Sequence, residues 1–150
     1  MVSRKVISFN GFKFEVNKKN MISTELKSHF LRLYQMAFSD DNFDVLEMQM
    51  LYRFAEERGV TKDQLDNILL NPSHNTCVPE SLEEKIEYLY DLALMIWADN
   101  IVTEDERITL RKYCLKFGFL DENIEELSKF LLSHAKEQLP KYKLVELLKE

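Results

Sequence analysis

The chain has 150 residues, a net charge of −6 and 45% apolar residues, which is enough for one domain with its own core and too apolar for a disordered chain. Residues 1–75 carry ten basic and ten acidic side chains, and residues 76–150 carry ten and sixteen, so neither half offers the basic face that nucleic acid or an anionic membrane requires. Three glycines and three prolines favour long helices over many tight turns.

Residues 6–16 alternate β-prone side chains around Asn10-Gly11, a dipeptide suited to a type I′ turn, where both positions need positive φ. The expectation is a short N-terminal β-hairpin, with residues 1–20 as an extension. A lone hairpin is marginal in water, so this one needs a surface to pack on. No apolar leader precedes it, because lysines are spread through residues 5–19. With two cysteines, Cys77 in a loop and Cys114 in a helical apolar pattern, a reducing cytoplasm is the expected compartment.

The helical domain is expected over residues 21–150. A first helix over 23–39 presents Leu26, Phe30, Leu33, Tyr34 and Ala37 at 3, 4 spacing. A second runs over 45–58 with Leu51, Phe54 and Ala55 inward, and Gly59 stands where a left-handed cap is wanted. Thr61 and Gln64 have capping-box spacing and open a short helix to Leu70. Residues 71–79 form a polar connection with two prolines.

Ser81 and Glu84 repeat the capping box and start the central helix, expected to reach Ala98. Its residues 89–98 carry one charge, Asp91, and are otherwise apolar. That run is too short for a membrane span of roughly 20 residues and reads as an encircled core helix, with Trp97 part of the core. Thr103 and Glu106 form the next box, opening a helix that ends near Gly118. A helix over 121–137 follows, and Pro140 suits the first position of a last helix over 140–148.

A shift of 59 residues superposes Leu33 on Leu92, Met36 on Met95, Asp40 on Asp99, Glu47 on Glu106, Leu51 on Leu110 and Gly59 on Gly118. This spacing implies an internal duplication, with repeat 1 over 24–70 and repeat 2 over 81–137. The expected fold is an all-α helical bundle of two pseudo-symmetric three-helix halves plus a C-terminal helix, with the hairpin appended.

The duplicated acidic turns, Asp40 to Glu47 and Asp99 to Glu106, are the constellations that bear on chemistry. Hard cations want several carboxylate or carbonyl oxygens. Asp40 and Asp99 also follow helix C-termini, where the macrodipole disfavours an anion and a cation would relieve it. Asp40, Glu47, Asp99 and Glu106 are therefore the candidate metal ligands, for a divalent cation. The competing reading is structural and carries more weight. Glu106 caps a helix, Asp44 and Glu47 repeat that logic, and Asp41 and Asn100 suit left-handed positions. The first turn fails as an EF-hand, because Val45 replaces the loop glycine and Leu51 the terminal glutamate. His74 and Cys77 lack a second pair for zinc, His29 and His134 read as ordinary helical residues, and no nucleophile elbow or phosphate loop is present in the sequence.

Ala98-Asp-Asn-Ile-Val-Thr-Glu-Asp-Glu106, preceded by the apolar helix and followed by Gly118-Phe119, resembles the tellurite-resistance TerB family. Its hallmark is Ala-Asp-Gly-x-Ile/Val-x-x-x-Glu between two helices, and both copies together span residues 24–137. Asn100 and Asp41 stand where the family has glycine, and Ser39 where it has alanine. The resemblance implies a helical domain of two related halves and a link to tellurite and stress resistance. It also implies metal binding at the acidic turns, and no defined catalytic activity. The expected function is a non-enzymatic stress-response or scaffold module acting through protein contacts, with a divalent cation at the turns as an open addition. The alternatives are a metal-free interaction domain and, less favoured, a metal-dependent hydrolase. The expected partner is a protein, with a homo-oligomer left open and neither nucleic acid nor membrane insertion involved.

Overall fold

The computed structural model describes residues 5–9, 12–16, 22–38, 45–72 and 77–149. Lys5–Phe9 (β1) and Phe12–Val16 (β2) pair antiparallel, with Phe9 opposite Phe12 and Lys5 opposite Val16. The Asn10-Gly11 turn lies outside the described residues.

The remainder is helical. Thr24–Phe38 (α1), Val45–Glu57 (α2) and Lys62–Leu70 (α3) pack on one another. Leu82–Ile96 (α4), Glu104–Lys116 (α5) and Asp121–Lys136 (α6) do the same, and Lys141–Leu148 (α7) docks on α4. Helix α4 also touches α1 and α2, so it is surrounded. Its buried residues are consistent with that position: Ile86, Tyr88, Leu89, Tyr90, Asp91, Leu92, Ala93, Met95 and Ile96 leave no wet face in the middle of the helix. Among the described residues no helix is long and apolar enough to cross a membrane.

Local chemistry sets the helix ends. Thr61 and Thr103 both close full capping boxes, with Gln64 and Glu106 reaching back to the cap amides. Ser81 makes only half of one: its hydroxyl accepts from the Glu84 amide at 3.1 Å, and the Glu84 side chain does not return the bond. Gly59 (φ 73°) and Gly118 (φ 95°) are left-handed, and each lets the next residue bond back over the helix end, Val60 to Ala55 and Phe119 to Cys114. Gln138 (φ 55°) performs the same turn after α6 without glycine's freedom.

Two boundaries differ from expectation. Helix α4 stops at Ile96 and tightens into a 3-10 turn over Trp97–Asp99, because the chain must reverse at Asn100 (φ 64°). Pro140 has extended ψ (143°) and caps α7 rather than opening it, so Lys141 is the first helical residue. Trp97 is half-buried, with its indole N–H donating to the Leu132 carbonyl at 2.8 Å. Of the expected α1 face, Phe30, Leu33 and Ala37 are buried, while Leu26 and Tyr34 are half-buried against the core. Cys77 and Cys114 are both free thiols.

Candidate functional site

Two clusters hold the polar chemistry. The first is the acidic turn after α4. The Asp99 carboxylate accepts from the Ile101 amide at 3.0 Å, which turns the chain over left-handed Asn100. Glu106 Oε1 accepts from the Thr103 amide and hydroxyl, both at 3.0 Å, while Thr103 Oγ1 accepts from the Glu106 amide. Both candidate ligands of this turn therefore already hold backbone in place. Replacing Thr103 by Ala is expected to cost about 1 kcal/mol through loss of the cap. A thermal melt indistinguishable from wild type would show that the box contributes nothing.

In the first turn, Asp40, Asp41 and Asp44 lie outside the described residues. Glu47 is described, at the start of α2, and is itself engaged. It lines a cleft of about 220 Å3 together with Met36, Met95, Ile96, Thr103 and Glu106. The structure thus brings Glu47 and Glu106 to one cleft and leaves Asp99 outside its lining. The described residues contain no group of three or more His, Cys, Asp or Glu able to hold a metal ion.

The second cluster centres on Asp91, whose side chain is fully buried. One oxygen receives the His29 Nε2 hydrogen bond at 2.8 Å and lies 2.6 Å from Arg58 Nη2. The other lies 2.6 Å from Lys141 Nζ, which also reaches Glu57 at 2.8 Å. The Arg58 and Lys141 approaches to Asp91 are charge contacts rather than aligned hydrogen bonds. Four helices meet here: α1 through His29, α2 and its last turn through Glu57 and Arg58, α4 through Asp91, and α7 through Lys141.

Burial by itself would raise the Asp91 carboxyl. The His29 hydrogen bond and the Arg58 and Lys141 charges outweigh it and hold the group at about 2. Burial pushes the His29 ring down to about 4, against the pull of Asp91. At neutral pH the ring is therefore uncharged and donates from Nε2. Its Nδ1 has no hydrogen-bond partner among the described residues, and its face stacks on Tyr88 with centroids 4.1 Å apart. Asp91 and His29 are sealed from solvent, and Arg58 and Lys141 neutralise Asp91, while Glu57 and Lys141 also line an open groove beside α4.

Sequence reasoning missed His29, which is a fully buried partner of a carboxylate and not an ordinary helical residue. The available signal was Asp91, a single charge in an apolar helix, which has to be matched somewhere. A buried cation went unnoticed too. Arg32 is 7% exposed, stacks 5.0 Å over Phe117 and donates to the Cys77 carbonyl, while the Cys77 amide donates to Ser28 Oγ at 3.0 Å. These bonds fasten the α3–α4 connection to α1. His74, the other half of the discarded zinc pair, lies outside the described residues. Burial pushes the Cys114 thiol up to about 12, so it is a small core hydrophobe.

No family model matches the chain, and neither a curated protein nor a solved structure does.

Proposed function

We propose that the chain is a non-enzymatic, TerB-like scaffold module that works through protein contacts and uses the cleft between its two acidic turns as its working face. The observation that carries this reading is the lining of that cleft. Met36 and Met95, and Glu47 and Glu106, are the pairs that the 59-residue shift superposes, and all four line the same space. Such a meeting of equivalent residues is what two pseudo-symmetric three-helix halves, joined face to face, would produce. Under the same reading, α7 and the N-terminal hairpin are additions to the duplicated body.

The cleft is small, acidic at its rim and floored by methionines, which adapt their shape to an apolar side chain. It suits an anchor residue from a partner, with basic neighbours facing Glu47 and Glu106. Reversing both charges in a Glu47→Lys, Glu106→Lys variant is expected to abolish in-cell crosslinks made through the cleft while circular dichroism stays helical. Crosslinks identical for wild type and variant would reject the cleft as a contact surface.

A divalent cation at Asp40, Glu47, Asp99 and Glu106 is the open clause of this proposal. Magnesium is expected to leave the melting temperature unchanged, because its strict octahedral demand suits these short turns poorly. A cation bound only by the folded chain, at 100 times its dissociation constant, would add about 2.7 kcal/mol. A calcium-dependent rise in melting temperature that Asp40→Asn with Asp99→Asn removes would establish the clause. A flat response to calcium, manganese and magnesium would leave the metal-free interaction domain.

A further inference from the structure

Leu94 of α4, with Trp97 and Ala98 of the 3-10 turn that follows it, lines a groove between α2 and the α6–α7 corner. It has two lobes of about 390 and 200 Å3 that share Arg53, Leu94 and Gln138. Its charged lining is the Glu57–Lys141 ion pair and two further cations, Arg53 on the α2 wall and Lys136 on the α6 wall. Both are exposed, and neither has a carboxylate partner among the described residues. Each rests on an aromatic ring instead, Arg53 at 5.7 Å from the Phe54 centroid and Lys136 at 5.6 Å from that of Trp97. On a chain of net charge −6, a groove carrying two exposed cations with no carboxylate partner among the described residues is a local exception.

The lining of the groove ends at Asn100, and the next residues carry the opposite pattern. Ile101 is 63% exposed and Ile108 is 38% exposed. Between them stand the exposed carboxylates Asp105 and Glu104, the latter bridged to Arg111 at 3.2 Å along its own helix; both belong to the first turn of α5. This ridge sets exposed apolar side chains beside acids, the complement of Leu94 and Trp97 beside the exposed Arg53 and Lys136. Because ridge and groove adjoin at Asn100, a two-fold axis near that residue places the ridge of each copy against the groove of the other. Such a contact uses one patch twice and closes at two copies.

We propose that the chain pairs with a second copy of itself through this surface, with Ile101 over Leu94 and Trp97, and Glu104 and Asp105 against Arg53 and Lys136. The pairing shares Asp105 with the rim of the acidic cleft but uses neither Glu47 nor Glu106 nor a metal ion, so the Glu47→Lys, Glu106→Lys variant tests the cleft and the variants below test the pairing.

The test is sedimentation velocity of the full chain over a wide concentration range. The expected result is a concentration-dependent rise from the 17.9 kDa monomer to twice that mass. Arg53→Glu and Glu104→Arg should each weaken the dimer about tenfold or more, equivalent to about 1.4 kcal/mol. Combining the two should restore it, because the charges are then exchanged across the contact. Ile101→Glu should leave a monomer. The three positions changed, Arg53, Ile101 and Glu104, are exposed, and circular dichroism melts check that each variant is folded. A wild type that stays monomeric at the highest concentration overturns the proposal. So does a dimer indifferent to Ile101→Glu and Arg53→Glu, or a double reversal that fails to restore pairing.

Discussion

Replacing Asp91 by Ala is expected to cost about 3–5 kcal/mol, a large part of the 5–15 kcal/mol that holds a typical domain folded. Intact, the cluster is close to neutral for stability, since taking Asp91, Arg58 and Lys141 out of water offsets most of their attraction. The cost arises on removal. Without Asp91, the Arg58 guanidinium and the Lys141 ammonium lose their shared carboxylate, Lys141 keeps its contact with Glu57, Glu87 acts on both only through its charge, and the buried His29 N–H loses its acceptor. Asp91→Asn separates charge from shape. It can still accept from His29 and keeps the volume, yet removes the charge that Arg58 and Lys141 share, leaving Lys141 with Glu57 alone, so its cost should approach that of Ala. Lys141→Met should cost less, because Arg58 and His29 still serve Asp91. Urea titrations of the three variants read these differences directly. A loss below about 1 kcal/mol for Asp91→Ala would mean that water enters the cluster and the burial is not real.

The second large effect is loss of stability in mild acid. The His29 ring sits at about 4 in the folded chain against 6.5 when free. Its folded value is the lower one, so the unfolded chain binds the extra proton first. The stability linked to this group is fully present above pH 6.5 and is lost as pH falls towards 4. That gap corresponds to about 3 kcal/mol. Asp91 extends the decline, since its folded value of about 2 lies below the free value of 3.8. Its contribution is present above pH 3.8 and disappears as pH falls through 2. His29→Gln cannot titrate but can still donate to Asp91. Urea midpoints at pH 7, 5.5 and 4.5 should therefore fall for wild type and hold nearly level for the variant. Parallel slopes for the two proteins would show that the acid sensitivity comes from elsewhere.

The residues themselves determined the helices, and the reason is distance. A capping box spans three residues and a left-handed glycine acts on the turn it ends, so Thr61, Thr103, Gly59 and Gly118 mark boundaries wherever the chain later packs. The apolar run of α4 likewise announced a helix with no wet face, and its burial follows from the spacing. Even the acidic turn was legible in part. Thr103 and Glu106 make the bonds their spacing implies, and Asn100 takes the left-handed position that asparagine tolerates. What those rules cannot carry is contact between distant segments. Asp91 showed that a buried charge needed partners, but His29 stands 62 residues before it and Lys141 fifty after, on helices whose facing sides only packing decides. The same holds for the cleft and the groove. The cleft is the space left where α1, α2, α4 and α5 meet, and the groove the space left where α2, α4 and the α6–α7 corner meet, and an intersection of surfaces has no periodicity to read. Local hydrogen bonds and helical spacing determined the elements of this protein. The tertiary structure alone decided which charges neutralise one another, because Coulomb attraction depends on separation in space and not along the chain.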